Sequence, residues 1–170
     1  MTTDEAAEDR WARFEREKHE QAEAARAELI ALLQPEWRSL RVDYSGGGDQ
    51  GDINGLYVSK VAYDEENVDN LDPGWTPAEE SDWQVVDEGP ANKHEMVDGR
   101  WTVIETEKTE AQQWGDKLHD LAWPLVSRKW GGFAFDGNVE GMIVVDSVTG
   151  VVLRRDSVSL TSYEQETESF

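Results

Sequence analysis

The sequence predicts an α+β fold with a long N-terminal helix, an antiparallel sheet built from hairpins, and a second helix before a C-terminal β-meander. Three observations lead to this prediction. Residues 3–34 contain neither glycine nor proline, two later stretches alternate between apolar and polar residues around glycine-containing turns, and another stretch has helical spacing. With 170 residues, of which 38% are apolar, the chain is long enough to form one domain with its own core.

The N-terminal helix is predicted over residues 3–34 and ends before Pro35, because proline cannot continue a helix. Apolar or small residues recur every three or four positions and form one stripe of Trp11, Phe14, Ala22, Ala25, Leu29, Leu32 and Leu33. We expect this stripe to pack against the sheet of the same chain. Its N-terminal half is weaker, which leaves open a helix that projects or that pairs with a partner helix.

Residues 38–63 are predicted to form a hairpin whose loop contains the glycine cluster Gly46 to Gly48. We expect these glycines to supply the positive φ angles of the loop. A phosphate-binding loop would need a lysine, a hydroxyl residue and then a helix, whereas an aspartate and a second strand follow here. Asp43, Asp49 and Asp52 are weak candidates for a divalent-cation site, and a solvated hairpin loop is the alternative.

Residues 64–110 are predicted to form an acidic insertion. Between Val61 and Glu110, fifteen acidic residues stand against three basic ones, so this stretch supplies more than half of the net charge of −21. Disordered acidic segments seldom contain large aromatic residues, and Trp75 and Trp83 therefore favour an ordered insertion. Strand-like sequence within it occurs at residues 83–86 and 101–106.

The remaining chain is predicted to form a helix over residues 111–130, a β-meander over 131–160 and a loose tail over 161–170. We expect Pro124 to bend or shorten the helix. The meander is predicted to turn at Asp136-Gly137 and again at Thr149-Gly150. Four tryptophans are expected in the core, namely Trp11, Trp114, Trp123 and Trp130.

The net charge of −21 restricts the possible partners. Coulomb repulsion opposes direct binding to nucleic acids and to anionic membranes, whereas a basic protein surface is attracted. Adaptation to high salt, or solubility alone, would explain the same composition. The acidic first residues do not form a secretory signal and no apolar run is long enough to span a membrane, so we expect a soluble cytoplasmic protein.

Two motifs carry a resemblance to a known group of proteins. The stretches Tyr44-Ser-Gly-Gly-Gly-Asp49-Gln-Gly-Asp52-Ile53 and Gly131-Gly-Phe-Ala-Phe-Asp136 resemble the Y-x-G-x-G-D-x-G-x-I and G-x-F-x-F-D patterns of an uncharacterised family of small bacterial and mobile-element proteins. The resemblance covers residues 20–60 and 115–155 and implies the same order of helices and hairpins. The family has no assigned activity, and its setting on mobile elements implies an accessory or counter-defence role.

From these observations we expect a non-enzymatic inhibitor that binds a basic, nucleic-acid-binding protein or complex, as nucleic-acid mimics of the anti-CRISPR or anti-restriction type do. The expected binding residues are ten acids and two tryptophans: Asp64, Glu65, Glu66, Asp69, Asp72, Trp75, Glu79, Glu80, Asp82, Trp83, Asp87 and Glu88. No catalytic motif is present, and no cofactor is expected. Two alternatives remain open, an immunity protein against a toxin nuclease and a metal-dependent hydrolase that uses Asp43, Asp49 and Asp52.

Overall fold

The computed structural model describes residues 3–48, 50–61, 83–130 and 135–160, which form an α+β fold as the sequence predicts. Along these residues the elements are α1 (Thr3–Leu33), β1 (Ser39–Gly48), β2 (Gln50–Ser59), β3 (Trp83–Val85), β4 (Lys93–Val97), β5 (Arg100–Ile104), α2 (Glu110–Trp130), β6 (Phe135–Asp146) and β7 (Val152–Leu160). The long N-terminal helix, the first hairpin and the second helix have the predicted positions.

Five strands form one antiparallel sheet with the order β3-β2-β1-β6-β7. β1 lies at its centre, where Leu40 pairs with Val58 of β2 on one side and with Val145 of β6 on the other. β4 and β5 pair only with each other and form a separate two-stranded sheet. The acidic insertion therefore contributes one edge strand, β3, to the main sheet and one independent hairpin.

Both helices contribute to a core formed with one face of the five-stranded sheet. Side chains alternate between the two faces of a strand, so alternate residues in the middle of β1 and β6 contact this core. In β2 a β-bulge puts Ile53 and Leu56, which are three positions apart, on the same face. The core includes Leu29, Leu33, Leu40, Val42, Leu118, Val126, Ile143 and Val145. α2 is continuous through Pro124, so of the two expected effects, a bend or a shorter helix, proline does not cause the second. Within the described residues, neither helix is both long and apolar enough to cross a membrane.

A buried polar contact crosses three strands beneath the helices. Tyr44 of β1, Gly141 of β6 and Asp156 of β7 are neighbours in the sheet, and the Tyr44 hydroxyl donates a hydrogen bond to Asp156 Oδ1. Lys129 of α2 pairs with the other carboxylate oxygen at 2.5 Å. Glycine is needed between the two side chains, because a Cβ at position 141 would lie 2.6 Å from the tyrosine hydroxyl. This row of residues joins the sheet to α2.

Asp146 organises the turn between β6 and β7. Its carboxylate accepts hydrogen bonds from the N–H groups of Val148 and Thr149 at 2.8 and 2.9 Å and from Arg38 Nε at 2.9 Å. Burial disfavours the charged carboxylate, but the hydrogen bonds from these three groups outweigh burial and lower the pKa of Asp146. The ionised side chain therefore stabilises the turn.

Two predictions about turns differ from the structure. Gly46 and Gly47 lie inside β1, pair with strands on both sides and have no positive φ, because the two ladders hold them extended. The predicted turn at Asp136-Gly137 is wrong, since β6 runs from Phe135 to Asp146. The turn at Thr149-Gly150 is confirmed, and Gly150 has a φ of 71°.

The tryptophans expected in the core have different positions. Trp114 and Trp123 of α2 pack against it as predicted. Trp11 does not, because it is 65% exposed on the N-terminal half of α1, where no buried side chain is found among residues 9–21. The side chain of Trp130 lies outside the described residues.

Candidate protein-interaction surface

The hairpin formed by β4 and β5 is a separate, exposed element. Its sequence, KHEMVDGRWTVI, turns at Asp98-Gly99, and both residues have positive φ, 51° and 76°. Two-residue turns of this kind match the twist of the flanking strands. Every residue from Lys93 to Glu105 is exposed. The hairpin therefore projects from the body of the protein and adds nothing to its core.

One face of the hairpin is largely apolar. Met96 pairs directly with Trp101, and the pair two positions away is His94 with Val103. Paired residues share a face and alternate residues return to it, so these four side chains form one surface, which we call the hairpin face. Trp101 is 72% exposed and Met96 is 57% exposed. Exposed apolar side chains that are grouped in this way are typical of protein contact surfaces.

Acidic residues are in excess in the segments that flank the hairpin. Residues 87–110 contain seven acids and three bases. Glu95 and Asp98 of the hairpin are exposed, as are Glu105 and Glu107 directly after it. Within the hairpin Glu95 and Asp98 are balanced by Lys93 and Arg100, so the acidic excess lies in the segments on either side of it.

The segment before the hairpin is attached to α2 through two carboxylates. Asp87 accepts a hydrogen bond from Gln112 Nε2 at 2.9 Å, and Glu88 Oε1 lies 2.6 Å from His119 Nδ1. The hydrogen bonds from Gln112 and from the Gly89 N–H lower the pKa of Asp87. Two of the acids predicted to bind a partner are therefore engaged within the chain, although Asp87 remains exposed.

The segment after the hairpin is attached to α2 and to the segment before it. Lys108 Nζ lies 2.6 and 2.8 Å from the two carboxylate oxygens of Asp116 in α2. The Thr106 N–H donates to Asn92 Oδ1 at 3.2 Å, and its hydroxyl donates to the Ala91 carbonyl at 3.1 Å. These contacts hold the two ends of the hairpin together and fix its direction relative to α2.

Nine of the twelve predicted binding residues lie outside the described residues: Asp64, Glu65, Glu66, Asp69, Asp72, Trp75, Glu79, Glu80 and Asp82. Trp83 lies in β3, where it is half-buried and packs against Met142 and Val144. Among the described residues of this region, Trp101 is the exposed tryptophan. Sequence reasoning misses Met96 and Val103, although Asp-Gly between two alternating stretches is a strong hairpin signal that leads to both of them.

The aspartates considered for a cation site have other contacts where they are described. Both carboxylate oxygens of Asp43 lie 2.7 Å from guanidinium nitrogens of Arg41, and Asp52 accepts a hydrogen bond from the Ile53 N–H. Asp49 lies outside the described residues. Among those that are described, no three histidine, aspartate or glutamate side chains are grouped closely enough to hold a metal ion.

A polar surface lies on the main sheet. Two cavities of 530 and 440 Å³ share Glu140 and Ser157, and the larger one is also lined by Arg41, Asp43 and Arg155. Positive and negative groups are mixed there, so this surface does not select strongly for a partner of one charge sign. The hairpin differs because the segments that flank it are mainly acidic.

Comparison of the chain with protein-family models, with curated proteins and with solved structures found no significant match.

Proposed function

We propose that this protein is a non-enzymatic acidic binding protein that docks on the basic, nucleic-acid-binding surface of another protein and blocks it. The observation that carries the proposal is the exposed Met96–Trp101 pair on a projecting hairpin whose flanking segments are acidic. In this proposal the hairpin face enters an apolar depression of the partner, and the surrounding carboxylates contact the basic groups at its edge.

The position of Trp101 supports its role as an anchor. Tryptophan buries a large area when it enters a pocket, and it is among the residues that contribute most to binding energy in protein interfaces. Because both ends of the hairpin are attached to α2, the hairpin loses little conformational freedom when it binds. Most of the energy gained by burying the ring is then available for affinity.

The net charge supports a basic partner. A charge of −21 accelerates encounters with a positively charged surface and repels free nucleic acid. Carboxylates that occupy arginine and lysine side chains of such a surface exclude phosphates from them. A protein that binds in this way displaces nucleic acid from its partner without any chemical step.

The proposal is tested by capture followed by competition. The immobilised protein is exposed to host lysate at low salt, and the bound material is eluted with rising salt, because screening weakens contacts between exposed charges. We expect the eluted material to contain a basic nucleic-acid-binding protein. This partner is then purified and bound to a labelled oligonucleotide. Addition of the acidic protein is expected to displace the oligonucleotide from the partner. Retention of the oligonucleotide at saturating acidic protein would refute the blocking function. A toxin nuclease as the captured partner would specify an immunity role.

The first variant tests the anchor. Trp101→Ala is expected to weaken binding to the captured partner about 30-fold, which corresponds to about 2 kcal/mol, because a hot-spot side chain is lost. The control is Val148→Ala, which shortens an exposed apolar side chain in the β6–β7 turn. Calorimetric titration measures both variants, and equal affinities for Trp101→Ala and the unmodified protein would remove the hairpin face from the proposal.

The second variant tests where the charge is needed. Glu95→Lys, Glu105→Lys and Glu107→Lys are combined and compared with the control combination Glu17→Lys, Glu20→Lys and Glu28→Lys on α1, because both triple variants change the net charge equally. We expect the hairpin variant to bind at least about 10-fold more weakly than the α1 variant, since close charge pairs contribute more than distant charges. Equal losses would mean that net charge alone drives binding.

A further inference from the structure

Strand β7 forms one edge of the five-stranded sheet. β6 pairs with one of its sides, and no strand among the described residues pairs with the other. β7 has nine residues, whereas β3 at the opposite edge has three. The backbone groups on the free side of a long edge strand can pair with a strand of another chain. β7 is therefore the part of the main sheet that is most suited to strand addition.

The register between β6 and β7 determines which backbone groups point to the free side. The Asp146 N–H donates to the Val151 carbonyl at 3.0 Å, so this pair is hydrogen-bonded. Hydrogen-bonded and non-hydrogen-bonded pairs alternate along an antiparallel ladder, so the pairs that follow can be assigned in turn. The N–H and C=O groups that point away from β6 belong to four residues, which we call the free edge: Val152, Arg154, Asp156 and Val158.

The free edge is held in place by the rest of the protein. Arg154 donates hydrogen bonds to backbone carbonyls of α2. Asp156 accepts hydrogen bonds from the Tyr44 hydroxyl and from Lys129. A strand that is fixed in this way loses little conformational freedom when another strand pairs with it. Val158 follows these contacts and is 44% exposed.

The side chains of the free edge are complementary to those of a second copy of the same strand. In an antiparallel pair centred on residue 155, Val152 lies opposite Val158 of the second copy and Arg154 lies opposite Asp156. Apolar pairs and pairs of opposite charge both stabilise adjacent strands. Moving the centre by one residue would place two arginines or two aspartates opposite each other. The sequence of the strand therefore favours a second copy of this chain in one register.

Arg155 lies on the other face of β7 and meets its own counterpart at the centre of this pair. Like charges directly opposite each other oppose pairing. The Arg155 side chain lines the 530 Å³ cavity that Asp43 and Glu140 also line. Two carboxylates of its own chain therefore reduce the repulsion between the two arginines.

We propose that two copies of this protein associate through β7, as antiparallel strands centred on Arg155, so that the two five-stranded sheets join into one. The N–H and C=O groups of the free edge then bond to those of the second copy. This self-association is independent of the function proposed for the hairpin face, since β4 and β5 belong to a separate sheet.

The first experiment measures mass as a function of protein and salt concentration by sedimentation equilibrium. The net charge of −21 repels two copies from each other, and salt screens this repulsion. We therefore expect a monomer–dimer equilibrium that shifts toward dimer when salt rises. A protein that remains monomeric at high salt and high concentration would overturn the proposal and would leave this edge to a strand of a different protein.

The second experiment places a charge on the free edge. Val158→Lys is expected to raise the dimer dissociation constant at least about 10-fold, because lysine on an edge strand opposes pairing and here replaces one member of an apolar pair. The control is Val148→Lys in the β6–β7 turn, since both valines are exposed and both variants change the net charge equally. Equal dissociation constants for the two variants would contradict pairing through β7.

The third experiment tests the register by cross-linking, for which the chain has no native cysteine to interfere. Arg155→Cys and Ser157→Cys each introduce one thiol on the same face of β7. In the proposed register the two residues at position 155 form a non-hydrogen-bonded pair with Cα atoms about 4.5 Å apart, which a disulfide can span. The two residues at position 157 are separated by about 14 Å along the strands.

Both cysteine variants are incubated with oxidised glutathione and separated by electrophoresis without reductant. We expect Arg155→Cys to form a covalent dimer at least about 10-fold faster than Ser157→Cys, because a disulfide requires the short distance. Cross-linking of both variants at the same rate, or of Ser157→Cys alone, would rule out the pair centred on residue 155.

Discussion

Strand β6 and the β4–β5 hairpin have similar sequences but opposite surroundings. Both contain three consecutive β-branched residues, Ile143-Val144-Val145 in β6 and Thr102-Val103-Ile104 in β5. Each strand also adjoins a turn with a positive-φ glycine, Gly150 in one case and Gly99 in the other. β6 lies inside a five-stranded sheet beneath two helices, and its residue Ile143 is completely buried. The hairpin has only its own two strands, and its residue Ile104 is exposed.

Whether a segment forms strands and whether the apolar side chains of those strands become buried are decided by different features of the protein. Alternation and a suitable turn determine that strands form, while a second layer of structure determines whether their apolar side chains are buried. An isolated two-stranded hairpin is only marginally stable in water. Here the hydrogen bonds of Thr106 and the ion pair of Lys108 with Asp116 stabilise the hairpin at the end opposite its turn. This leaves its apolar face available to a partner.

The largest expected effect comes from removing the same side chain in each region. Ile143→Ala is expected to lower the free energy of unfolding by about 2–5 kcal/mol, because it leaves a cavity in the core. Ile104→Ala in the hairpin is expected to change it by less than about 0.5 kcal/mol. Urea denaturation followed by tryptophan fluorescence measures both values. Similar losses in the free energy of unfolding would mean that the hairpin is part of the cooperative core, which would contradict the difference between the two regions.

A smaller effect is expected at the turns. Asp146→Asn is expected to cost about 1–3 kcal/mol at neutral pH, because charge-assisted hydrogen bonds are weakened in a buried site. The pKa of Asp146 is lowered from 3.8 in the folded state, so its contribution is present above 3.8 and is lost as the pH falls through the folded value. The difference in the free energy of unfolding between Asp146→Asn and the unmodified protein should therefore become smaller at acidic pH.

Asp98→Asn is the matched control in the hairpin turn. Asparagine also tolerates a positive φ, so this change is expected to alter the free energy of unfolding by less than about 0.5 kcal/mol at any pH. Denaturation at neutral and acidic pH compares the two variants. A difference for Asp146→Asn that stayed constant down to the most acidic pH would show that the carboxylate is not the source of the effect.

The order of elements could be predicted from the sequence because each element has strong local signals. Pro35 marks the end of α1, and the stretch of helical spacing around Leu118 locates α2. Gly46 and Gly47 were harder to predict, since glycine permits both a turn and an extended strand and pairing with β6 decides between them. Asp136-Gly137 is similar, because pairing with β1 continues from Asn138 to Phe135 across a β-bulge at this dipeptide, and Gly137 pairs with Leu160 of β7.

The candidate site was less predictable than the fold. The acidic character of the region is visible in composition, and Trp101 lies within the insertion. What the sequence does not contain is the relation between elements: Trp83 packs against the main sheet through β3, whereas Trp101 projects on a separate hairpin. Trp11 was misplaced for the same reason, since the length of α2 decides how much of α1 is covered.

The closure of the hairpin at its base affects which sequence changes this protein can tolerate during evolution. Thr106 joins Ala91 and Asn92, so the chain enters and leaves the hairpin at neighbouring points. Insertions, deletions or replacements between those points do not alter the path of the polypeptide through the main fold. The part proposed to recognise a partner can therefore tolerate sequence changes that would disrupt the part that keeps the molecule folded.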